Sequence, residues 1–509
     1  MTRHSAFRLS ILVAFGLALG LLGWSQPAAA APDVVLRGVL QGADKQTYRE
    51  LPFTVPAGVG KITVDVSWAG RERGTILVLG LLDPERLRGW GGGTKPHFFV
   101  ANAFASPSYL PGPINPGVWR LTMAVASIRA GETSPYVVNI TYGRGPDAQV
   151  IADTPVKSDL HTHTGQSDGR CRSLAGQGAP CPTFLTLKAA AEHGLDFVAV
   201  TDHNTASHVA ELAGLTPYFD TLLVIPGREM TTQFGHYNLL GVADFVEFRL
   251  GSPATPNINA MFDASKATGA VISINHPERS TGEDCLGCGW SAPDTDYDRV
   301  QSIEVANGGG AADNDGRFGD GPGSGVAIWE ALLNRGYRLT GVGGSDNHDA
   351  VDGRRGTSPV GAQSPVGMPA TVVYADALSQ PAILQGVRSG RMFVDLEGAR
   401  PGRVLDLSAA AGEAEVAMGG VLKRTPGQPI QARLRVAGAE GDHIEVIVDG
   451  RRRPVLADPV LHGADQTLAF GLPADSVARW FRIDVRAPDG RRVLIGNPIY
   501  VGDRQRPDR

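Results

Sequence analysis

Hydrophobic and polar residues alternate at every second position in the first part of the chain, notably over 48–55 and 62–66. This alternation is typical of β-strands with one buried face. It predicts an all-β domain, a jelly roll or sandwich, over residues 31–150. The aromatic residues Trp90 and Tyr109 are candidates for sugar binding, although such side chains more often pack in a core.

The pattern changes over residues 151–400, where short apolar segments alternate with amphipathic ones. Short apolar segments are typical of buried strands, and apolar residues recurring at a period of about 3.6 are typical of helices. Their alternation predicts a βα barrel. The predicted strands are 156–160, 197–200, 222–225, 236–241, 270–274, 302–307 and 339–342, and the predicted helices are 182–193, 258–268, 326–335 and 382–389.

Period-two alternation returns over residues 401–503, for example at 430–436 and 444–448. The Asp-Gly pair at 449–450 is a common hairpin turn. This region is predicted to be an immunoglobulin-like β-sandwich, followed by a tail at 504–509. The fold class expected for the whole chain is therefore an α/β barrel flanked by two all-β domains.

The first 30 residues have the features of a signal peptide. Arg3 and Arg8 precede or flank an apolar run at 9–24, and three alanines at 28–30 form a small-residue cleavage site. An uncleaved membrane anchor is the alternative, but the apolar run is short for a span. We expect a periplasmic or secreted protein without stable membrane insertion after cleavage.

Composition narrows the possible partners. The 509 residues contain 47 Lys plus Arg and 52 Asp plus Glu. Such a balance gives no basic surface of the kind that binds nucleic acid, so no nucleic-acid partner is expected. The length suggests about three domains. The oligomeric state is left open.

The chain has four cysteines, which allow three disulfide pairings. An exported protein can keep disulfides. We favour Cys171 with Cys181 and Cys285 with Cys288. A zinc or redox site at the Cys-x-x-Cys pair is the competing interpretation, but a second thiol pair with suitable spacing is missing from the sequence.

Polar residues recur where the predicted strands of the barrel end, which is the face on which such barrels carry their sites. His161 and His163 lie two apart after the first strand, so both rings are expected on one side. Imidazoles and carboxylates together suit divalent metals. His193 and His208 lie away from strand ends and are interpreted as surface residues. The other candidates are Asp168, His203, Glu229, His236, His276, Asp346 and His348.

Five ordered motifs in this region resemble those of the polymerase-and-histidinol-phosphatase (PHP) metallohydrolases. The export signal, the segment around His236 and the Cys-x-x-Cys insertion resemble more narrowly the CehA/McbA-type branch, which is named for carbaryl hydrolases. The five segments that match the PHP motifs are DLHTHT at 159–164 with SDG at 167–169, TDHN at 201–204, GRE at 227–229, NHP at 275–277 and GSDNH at 344–348.

The resemblance implies a distorted (βα)7 barrel that holds two or three divalent ions, which are Mn, Zn or Fe. It implies that Glu229 bridges two of the ions. Asp202 is expected to orient His203 rather than to bind metal. The implied ligands are His161, His163, Glu229 and Asp346 for the first ion, Glu229, His236 and His276 for the second, and Asp168, His203 and His348 for the third.

The expected chemistry is attack by a metal-activated hydroxide. Asp346 is expected to accept or relay a proton, and His348 or His203 to protonate the leaving oxygen if the third ion is missing. Arg279 is a candidate clamp for an anionic substrate, with a surface salt bridge as the alternative. Asn307, at the end of its strand, is a candidate for hydrogen bonding to the substrate.

Three functions are compatible with the sequence. The first is an exported metal-dependent phosphoesterase that hydrolyses a small-molecule phosphate mono- or diester. The second is a hydrolase of carbamates or carboxylic esters, as the narrower resemblance implies. The third is a non-catalytic protein that binds glycans through its β domains.

Overall fold

The structure is a computed structural model, and its described part excludes both ends of the chain. The predicted signal peptide at 1–30 and the predicted tail at 504–509 lie outside it, as does Cys285. In the part that is described, no helix is long and apolar enough to cross a membrane. The described residues are 31–91, 95–101, 105–106, 108–110, 112–143, 150–282, 287–309, 317–353, 363–398, 400–425, 427–472 and 479–502.

The first region consists of two antiparallel sheets of four strands, ordered β1-β8-β3-β6 and β2-β7-β4-β5. Their inward-facing residues form one shared core, which is what the period-two alternation predicts. The strands are β1 (Val34–Gln41), β2 (Thr47–Val55), β3 (Lys61–Trp68), β4 (Ile76–Leu82), β5 (Leu87–Trp90), β6 (His97–Ala101), β7 (Gly117–Ser127) and β8 (Thr133–Gly143).

The two aromatic residues considered for sugar binding differ in their surroundings. Tyr109 is 5% exposed, its ring stacks on Phe98, and its hydroxyl donates a hydrogen bond to the carbonyl of Leu79. Tyr109 is therefore a core residue, which is the more frequent role of such side chains, and it is not available to bind sugar. Trp90 is 40% exposed, and its role stays a prediction.

The second region mixes strands and helices. Four predicted helices are found at their expected places, with ends that differ by one or two residues, while α2 was not predicted. The strands are β9 (Val150–Asp159), β10 (Arg170–Arg172), β11 (Gly178–Pro180), β12 (Phe197–Val200), β13 (Leu223–Thr232), β14 (Gly235–Leu240), β15 (Val271–Ile274), β16 (Ser302–Asn307), β17 (Thr340–Gly344), β18 (Ala370–Ala377) and β19 (Met392–Asp395), and the helices are α1 (Thr183–Glu192), α2 (His208–Leu215), α3 (Ile258–Lys266), α4 (Val326–Asn334) and α5 (Gln380–Ser389).

The strands of this region form one continuous sheet in the order β17-β16-β15-β14-β13-β12-β9-β18-β19. The pairs β9–β12, β12–β13, β15–β16 and β16–β17 are parallel, as a βα barrel requires. The pairs that β14 makes with β13 and β15 are antiparallel instead. The mixed α/β class is therefore confirmed, whereas the distorted (βα)7 barrel stays a prediction.

The two ends of this strand series approach each other through β9, β17 and β18. Thr162, just after β9, forms a parallel bridge with Asn347, just after β17. The hydroxyl of Thr371 in β18 both accepts from the amide of Gly343 (2.8 Å) and donates to its carbonyl (2.7 Å). These bonds bring the ends of β9 and β17 side by side.

The third region does not form a separate sheet pair. The strand order β19-β28-β27-β24-β25 continues the sheet of the second region, and a further sheet, β21-β20-β23-β26, packs on it over a shared core. The predicted division at residue 400 is thus crossed by the β19–β28 pairing. The strands are β20 (Val404–Ala411), β21 (Ala414–Ala417), β22 (Val421–Leu422), β23 (Ile430–Ala437), β24 (His443–Val448), β25 (Arg451–Arg453), β26 (Asp465–Leu472), β27 (Trp480–Arg486), β28 (Arg492–Gly496) and β29 (Ile499–Val501).

Candidate metal centre

The candidate ligands converge because most of them follow strands that end at the same edge of the sheet, where Glu229 of β13 and His236 at the start of the antiparallel β14 also lie. The amide of Asp346 donates to the carbonyl of His161 (2.8 Å), which joins the segments after β9 and β17. Likewise His203, after β12, forms a parallel bridge with Glu229 of β13. Backbone pairing therefore places these side chains next to each other before any metal is considered.

The first group consists of His161, His163, Glu229 and Asp346, which are all buried. Glu229 Oε2 lies 3.4 Å from the Nε2 atoms of both histidines. Asp346 Oδ1 lies 3.4 Å from His161 Nε2 and 3.1 Å from His163 Nε2. The four side chains thus direct two nitrogens and two oxygens at one small space.

The second group uses the other oxygen of Glu229. Oε1 lies 3.3 Å from His236 Nδ1 and 3.3 Å from His276 Nε2. Cys288 lies close to both histidines. No described cysteine is free, and the disulfide predicted for Cys288 involves Cys285, which is outside the described residues.

The third group is the most open to solvent. Asp168 Oδ1 lies 3.3 Å from His348 Nε2 and 3.6 Å from His203 Nε2. The side chain of Asp168 is 50% exposed, whereas that of His348 is 4% exposed. The three groups correspond to the three ligand sets that the sequence led us to expect, and occupation of any of them by metal stays a prediction.

The spacing of the donor atoms fits divalent metals. Ligand atoms at 2.0–2.2 Å from a tetrahedral zinc lie about 3.3–3.6 Å apart. The observed separations in the first group are 3.1–3.4 Å. In addition, His161 Nε2, Glu229 Oε2 and His348 Nε2 are buried without a hydrogen-bond partner. Buried polar atoms rarely lack partners, so these three are best explained as metal ligands.

The histidines are also held in the orientation that metal binding requires. Nδ1 of His161 bonds Glu304 (2.8 Å), that of His276 bonds the carbonyl of Cys288 (3.2 Å), and that of His348 bonds the carbonyl of Asp346 (2.8 Å). In a neutral imidazole, an Nδ1–H donated to an oxygen leaves Nε2 as the unprotonated atom. In each ring that atom faces the site.

The charges of the first group stabilise one another. Burial alone would lower the pKa of His161, but the carboxylates of Glu304, Glu229 and Asp346 outweigh burial and raise this pKa well above its usual value. Burial would raise the pKa of Glu229 and of Asp346, yet neighbouring imidazoles, His161 first, hold both pKa values well below the usual range. The carboxylates are therefore ionised at neutral pH, as ligands must be.

The pKa values of two other histidines are shifted in opposite directions. Burial, followed by repulsion from His348 and His203, lowers the pKa of His163 to about 4, so its ring is neutral. For His203, burial lowers the pKa but attraction by Glu229 and Asp168 outweighs it, and the pKa rises to about 9. A cation bound in the third group would compete with that proton.

Glu304 is a residue of the site that sequence analysis missed. Its carboxylate bonds His161 Nδ1 and accepts hydrogen bonds from the amide of His276 (2.8 Å) and the side chain of Asn307 (2.9 Å). Glu304 is 2% exposed. A charged residue inside the apolar segment 302–307 was the signal that could have revealed it, because an unpaired glutamate is almost never fully buried.

Two expectations about neighbouring residues are wrong. Asp202 was expected to orient His203, but its carboxylate bonds Thr164 and Ser167, while His203 Nδ1 bonds the hydroxyl of Thr231 (2.6 Å). His208 was expected at the surface but is fully buried. It belongs to α2, which packs against β13, and its Nε2 bonds the carbonyl of Gly227 (3.0 Å). His193 is exposed, as expected.

The two candidate substrate-binding residues border the first group. Arg279 donates to Asp346 Oδ2 (3.1 Å) and to the carbonyl of Gly309 (3.0 Å), and its side chain is 10% exposed. Asn307 donates to Glu304 and is 6% exposed. Neither residue lies on the open surface, which excludes an exposed salt bridge for Arg279. Their roles in binding substrate stay predictions.

Two ligand residues have backbone conformations that are rare for non-glycine residues. The φ angle is +26° at His276 and +51° at Asp346. Such conformations cost about 1–3 kcal/mol each and persist only where the surroundings impose them. At both positions the chain turns sharply at the end of a strand, which aims the side chain into the site.

Comparison with known proteins gives few matches. Neither a family model nor a curated protein matches the chain. One solved structure is a two-domain protein from Bacteroides vulgatus that contains a predicted PHP-like metal-dependent phosphoesterase, with 17% identity, a TM-score of 0.32, and coverage of 70% of this chain and 98% of that one. Another, from Bifidobacterium adolescentis, is proposed to be a metal-dependent phosphoesterase, with 15% identity, a TM-score of 0.26, and coverage of 44% and 94%. Similarity at this level does not establish the family.

Proposed function

We propose that this chain is an exported hydrolase of phosphate esters that depends on two or three divalent metal ions and belongs to the PHP superfamily. The observation that carries the proposal is Glu229, whose two carboxylate oxygens each face a different set of imidazoles. A buried carboxylate shared in this way is suited to bridging two cations. The distorted (βα)7 barrel and the CehA/McbA-type branch are part of the same proposal.

Bound cations would supply two effects at this centre: they lower the pKa of a water molecule and offset negative charge on a phosphoryl oxygen. The protein supplies the rest. Asp346 is ionised, and through Oδ2 it also holds Arg279. Because its pKa lies well below the usual range, Asp346 would relay a proton rather than keep one. His348 and His203 lie on the open side, beside Asp168, where a leaving group would depart.

Arg279 favours an anionic substrate. Its guanidinium is the cationic group that borders the first metal group, and an arginine presents planar donors that match phosphate. A guanidinium carries more N–H donors than the two that bond Asp346 and Gly309. Donors therefore remain for a phosphoryl oxygen of a mono- or diester.

The same contacts give the second candidate its support. Because Asp346 already neutralises part of the charge of Arg279, the site also suits a neutral carbamate or carboxylic ester. Both substrates would be attacked by the same nucleophile. They differ in the negative charge that Arg279 must offset.

The test compares substrates on one preparation of the full chain. Metal-loaded and chelator-treated protein is assayed with 4-nitrophenyl phosphate, bis(4-nitrophenyl) phosphate, 4-nitrophenyl acetate and 1-naphthyl N-methylcarbamate. We expect metal-dependent turnover that is greatest on a phosphate ester, and its loss in His161→Ala. His462→Ala, which changes an exposed histidine, is the control. Faster turnover of the carbamate or acetate would favour the second candidate, and full activity without metal would contradict both.

Export is supported by one feature of the described chain. Cys171 and Cys181 form a disulfide, and disulfides persist in oxidising compartments. We therefore propose a periplasmic or secreted location. Binding of glycans without catalysis remains the least supported function, because one of its two candidate residues, Tyr109, is buried.

A further inference from the structure

The third metal group depends on a short loop, residues 164–168, that ends in Asp168. Inside the molecule this loop is held by the carboxylate of Asp202. Oδ1 accepts from the amide of Thr164 (2.8 Å) and from the hydroxyl of Ser167 (2.6 Å), and Oδ2 accepts from the hydroxyl of Thr164 (2.7 Å). Asp202 is fully buried and has His208 Nδ1 at 3.4 Å from Oδ2. One buried carboxylate therefore fixes both halves of the loop.

On its outer side the loop is held by the hairpin of β10 and β11. The disulfide links Cys171 of β10 to Cys181, the residue that directly follows β11. The carbonyl of Cys181 accepts from the amide of Gly165 (2.6 Å), and the amide of Cys181 donates to the carbonyl of Gly169 (2.8 Å). The hairpin thus bonds the chain on both sides of Asp168.

The hairpin also reaches another ligand of the same group. The amide of Arg170 donates to the carbonyl of His348 (2.7 Å). There is little space for this arrangement to change. A Cβ atom at Gly165 would lie 2.7 Å from the amide nitrogen of Cys181, and one at Gly169 would lie 2.7 Å from the carbonyl carbon of Thr164.

We propose that Asp202 and the disulfide-linked β10–β11 hairpin are positioning elements that fix Asp168 against His203 and His348, and so determine whether the third group takes up a metal ion. Asp168 needs such support because it is half exposed and lies in a loop, where a free side chain would lose conformational entropy on binding. The first group is buried and lies on or shortly after strands, so it does not need such support. The third ion would then be held fully only after the disulfide has formed in an oxidising compartment.

This inference rests on the metal centre of the proposed function, but its test does not use activity. Full-length protein is dialysed against a series of Mn²⁺ or Zn²⁺ concentrations, and bound metal per chain is measured by elemental analysis. We expect the wild-type chain to bind one equivalent more than the double variant Cys171→Ser/Cys181→Ser, or to bind its weakest ion at least about tenfold more tightly. Asp202→Asn should show the same loss.

Matched controls separate positioning from general damage. Asp196 lies at the other end of β12 and also holds a backbone amide, that of Lys157 (2.7 Å), so Asp196→Asn should keep the wild-type stoichiometry. If Asp202→Asn does not fold, Ser167→Ala serves instead, because it removes only one of the hydrogen bonds that the carboxylate of Asp202 accepts. This variant should still lower the affinity of the third group for its metal ion.

The outcomes are distinct. Equal stoichiometry and affinity in wild type, Cys171→Ser/Cys181→Ser and Ser167→Ala would overturn the positioning role while leaving the metal centre intact. A wild-type chain that binds no metal would overturn the proposed function as well. Loss of one ion in the variants, with the remaining ions still bound, supports the inference.

Discussion

At the scale of single residues, the centre depends on contacts that orient the ligands as much as on the ligands. Glu304 is the best example, because it bonds His161 Nδ1, the amide of His276 and the side chain of Asn307 at the same time. It thereby connects ligands of the first and second groups. Carboxylates that orient a metal-binding histidine typically contribute 10–100-fold to metal affinity.

The substitution Glu304→Gln is therefore expected to weaken metal binding about 10–100-fold, because the amide loses the charge that polarises His161. Competition with a chromogenic chelator measures this change. Glu415→Gln, which alters an exposed glutamate in β21, should leave affinity unchanged. Unaltered affinity in Glu304→Gln would mean that His161 does not rely on this carboxylate.

Arg279 leads to a prediction about selectivity. Arg279→Met removes the positive charge beside Asp346 and keeps much of the side-chain volume. We expect kcat/KM for a phosphodiester to fall by about 10²–10³, equivalent to about 3–4 kcal/mol of transition-state binding, and kcat/KM for 4-nitrophenyl acetate to fall much less. Equal losses on both substrates would show that Arg279 serves only to hold Asp346.

At the scale of secondary-structure elements, the end of β19 contains a buried carboxylate with an unusual ionisation. Asp395 is fully buried, its Oδ1 accepts from the amide of Glu397, and Arg403 Nε lies 3.6 Å from Oδ2. Burial raises the pKa of Asp395 to about 7, and attraction by Arg403 offsets this only in part. The folded chain therefore keeps a proton here that an unfolded chain loses near pH 4.

This difference makes stability fall as pH rises. Below about pH 4 both states are protonated and Asp395 has no effect, whereas between pH 4 and 7 the folded state binds more protons, so the free energy of unfolding decreases with pH. The total loss is at most about 4 kcal/mol, since one pKa unit corresponds to about 1.4 kcal/mol. Urea unfolding at several pH values should show Asp395→Asn gaining stability relative to wild type across this range. For Asp489→Asn, at an exposed site, the difference in free energy of unfolding from wild type should stay constant across this pH range. If the stability difference between Asp395→Asn and wild type were also independent of pH, the prediction would be contradicted.

Local periodicity predicted individual strands and helices much better than it predicted how they pair and pack with one another. The strand Phe197–Val200 and the helix Ile258–Lys266 could be found because burial of an element leaves a direct trace in its own residues. The strand β14 was found in the same way, but its antiparallel pairing could not be predicted, since pairing direction depends on which strands meet. For the same reason the burial of His208 was missed: nothing in its own segment shows that α2 packs over β13.

The candidate site was predictable for a related reason. Most of the ligands follow a short strand within a few residues, and strand ends of one sheet edge meet. Glu229 within β13 and His236 at the start of the antiparallel β14 join them there. What could not be predicted are the contacts between distant segments, such as Glu304 with His161 or Asp202 with Ser167. These contacts decide how the ligands are held, and they follow from the folded arrangement of several strands together.

At the scale of the whole molecule, the second and third regions share one sheet through the pairing of β19 with β28. A buried ion pair strengthens this connection. Arg482 of β27 is fully buried, bonds both oxygens of Asp484 (2.9 and 3.0 Å), and reaches Glu330 of α4 (2.7 Å). Its guanidinium also lies over the ring of Trp329 at 4.8 Å.

We therefore expect the two regions to unfold together and Arg482→Met to lower their common stability. Removing one partner of a buried pair typically costs about 3–5 kcal/mol, because the remaining carboxylate stays desolvated. Arg435→Met, which breaks an exposed pair with Asp465, should cost less than about 1 kcal/mol. Urea unfolding followed by circular dichroism and by tryptophan fluorescence should give coincident curves in wild type and in both variants, with only Arg482→Met shifted strongly to lower urea. Separate transitions for the two signals would show that the third region folds on its own and that the shared sheet does not couple it to the metal centre.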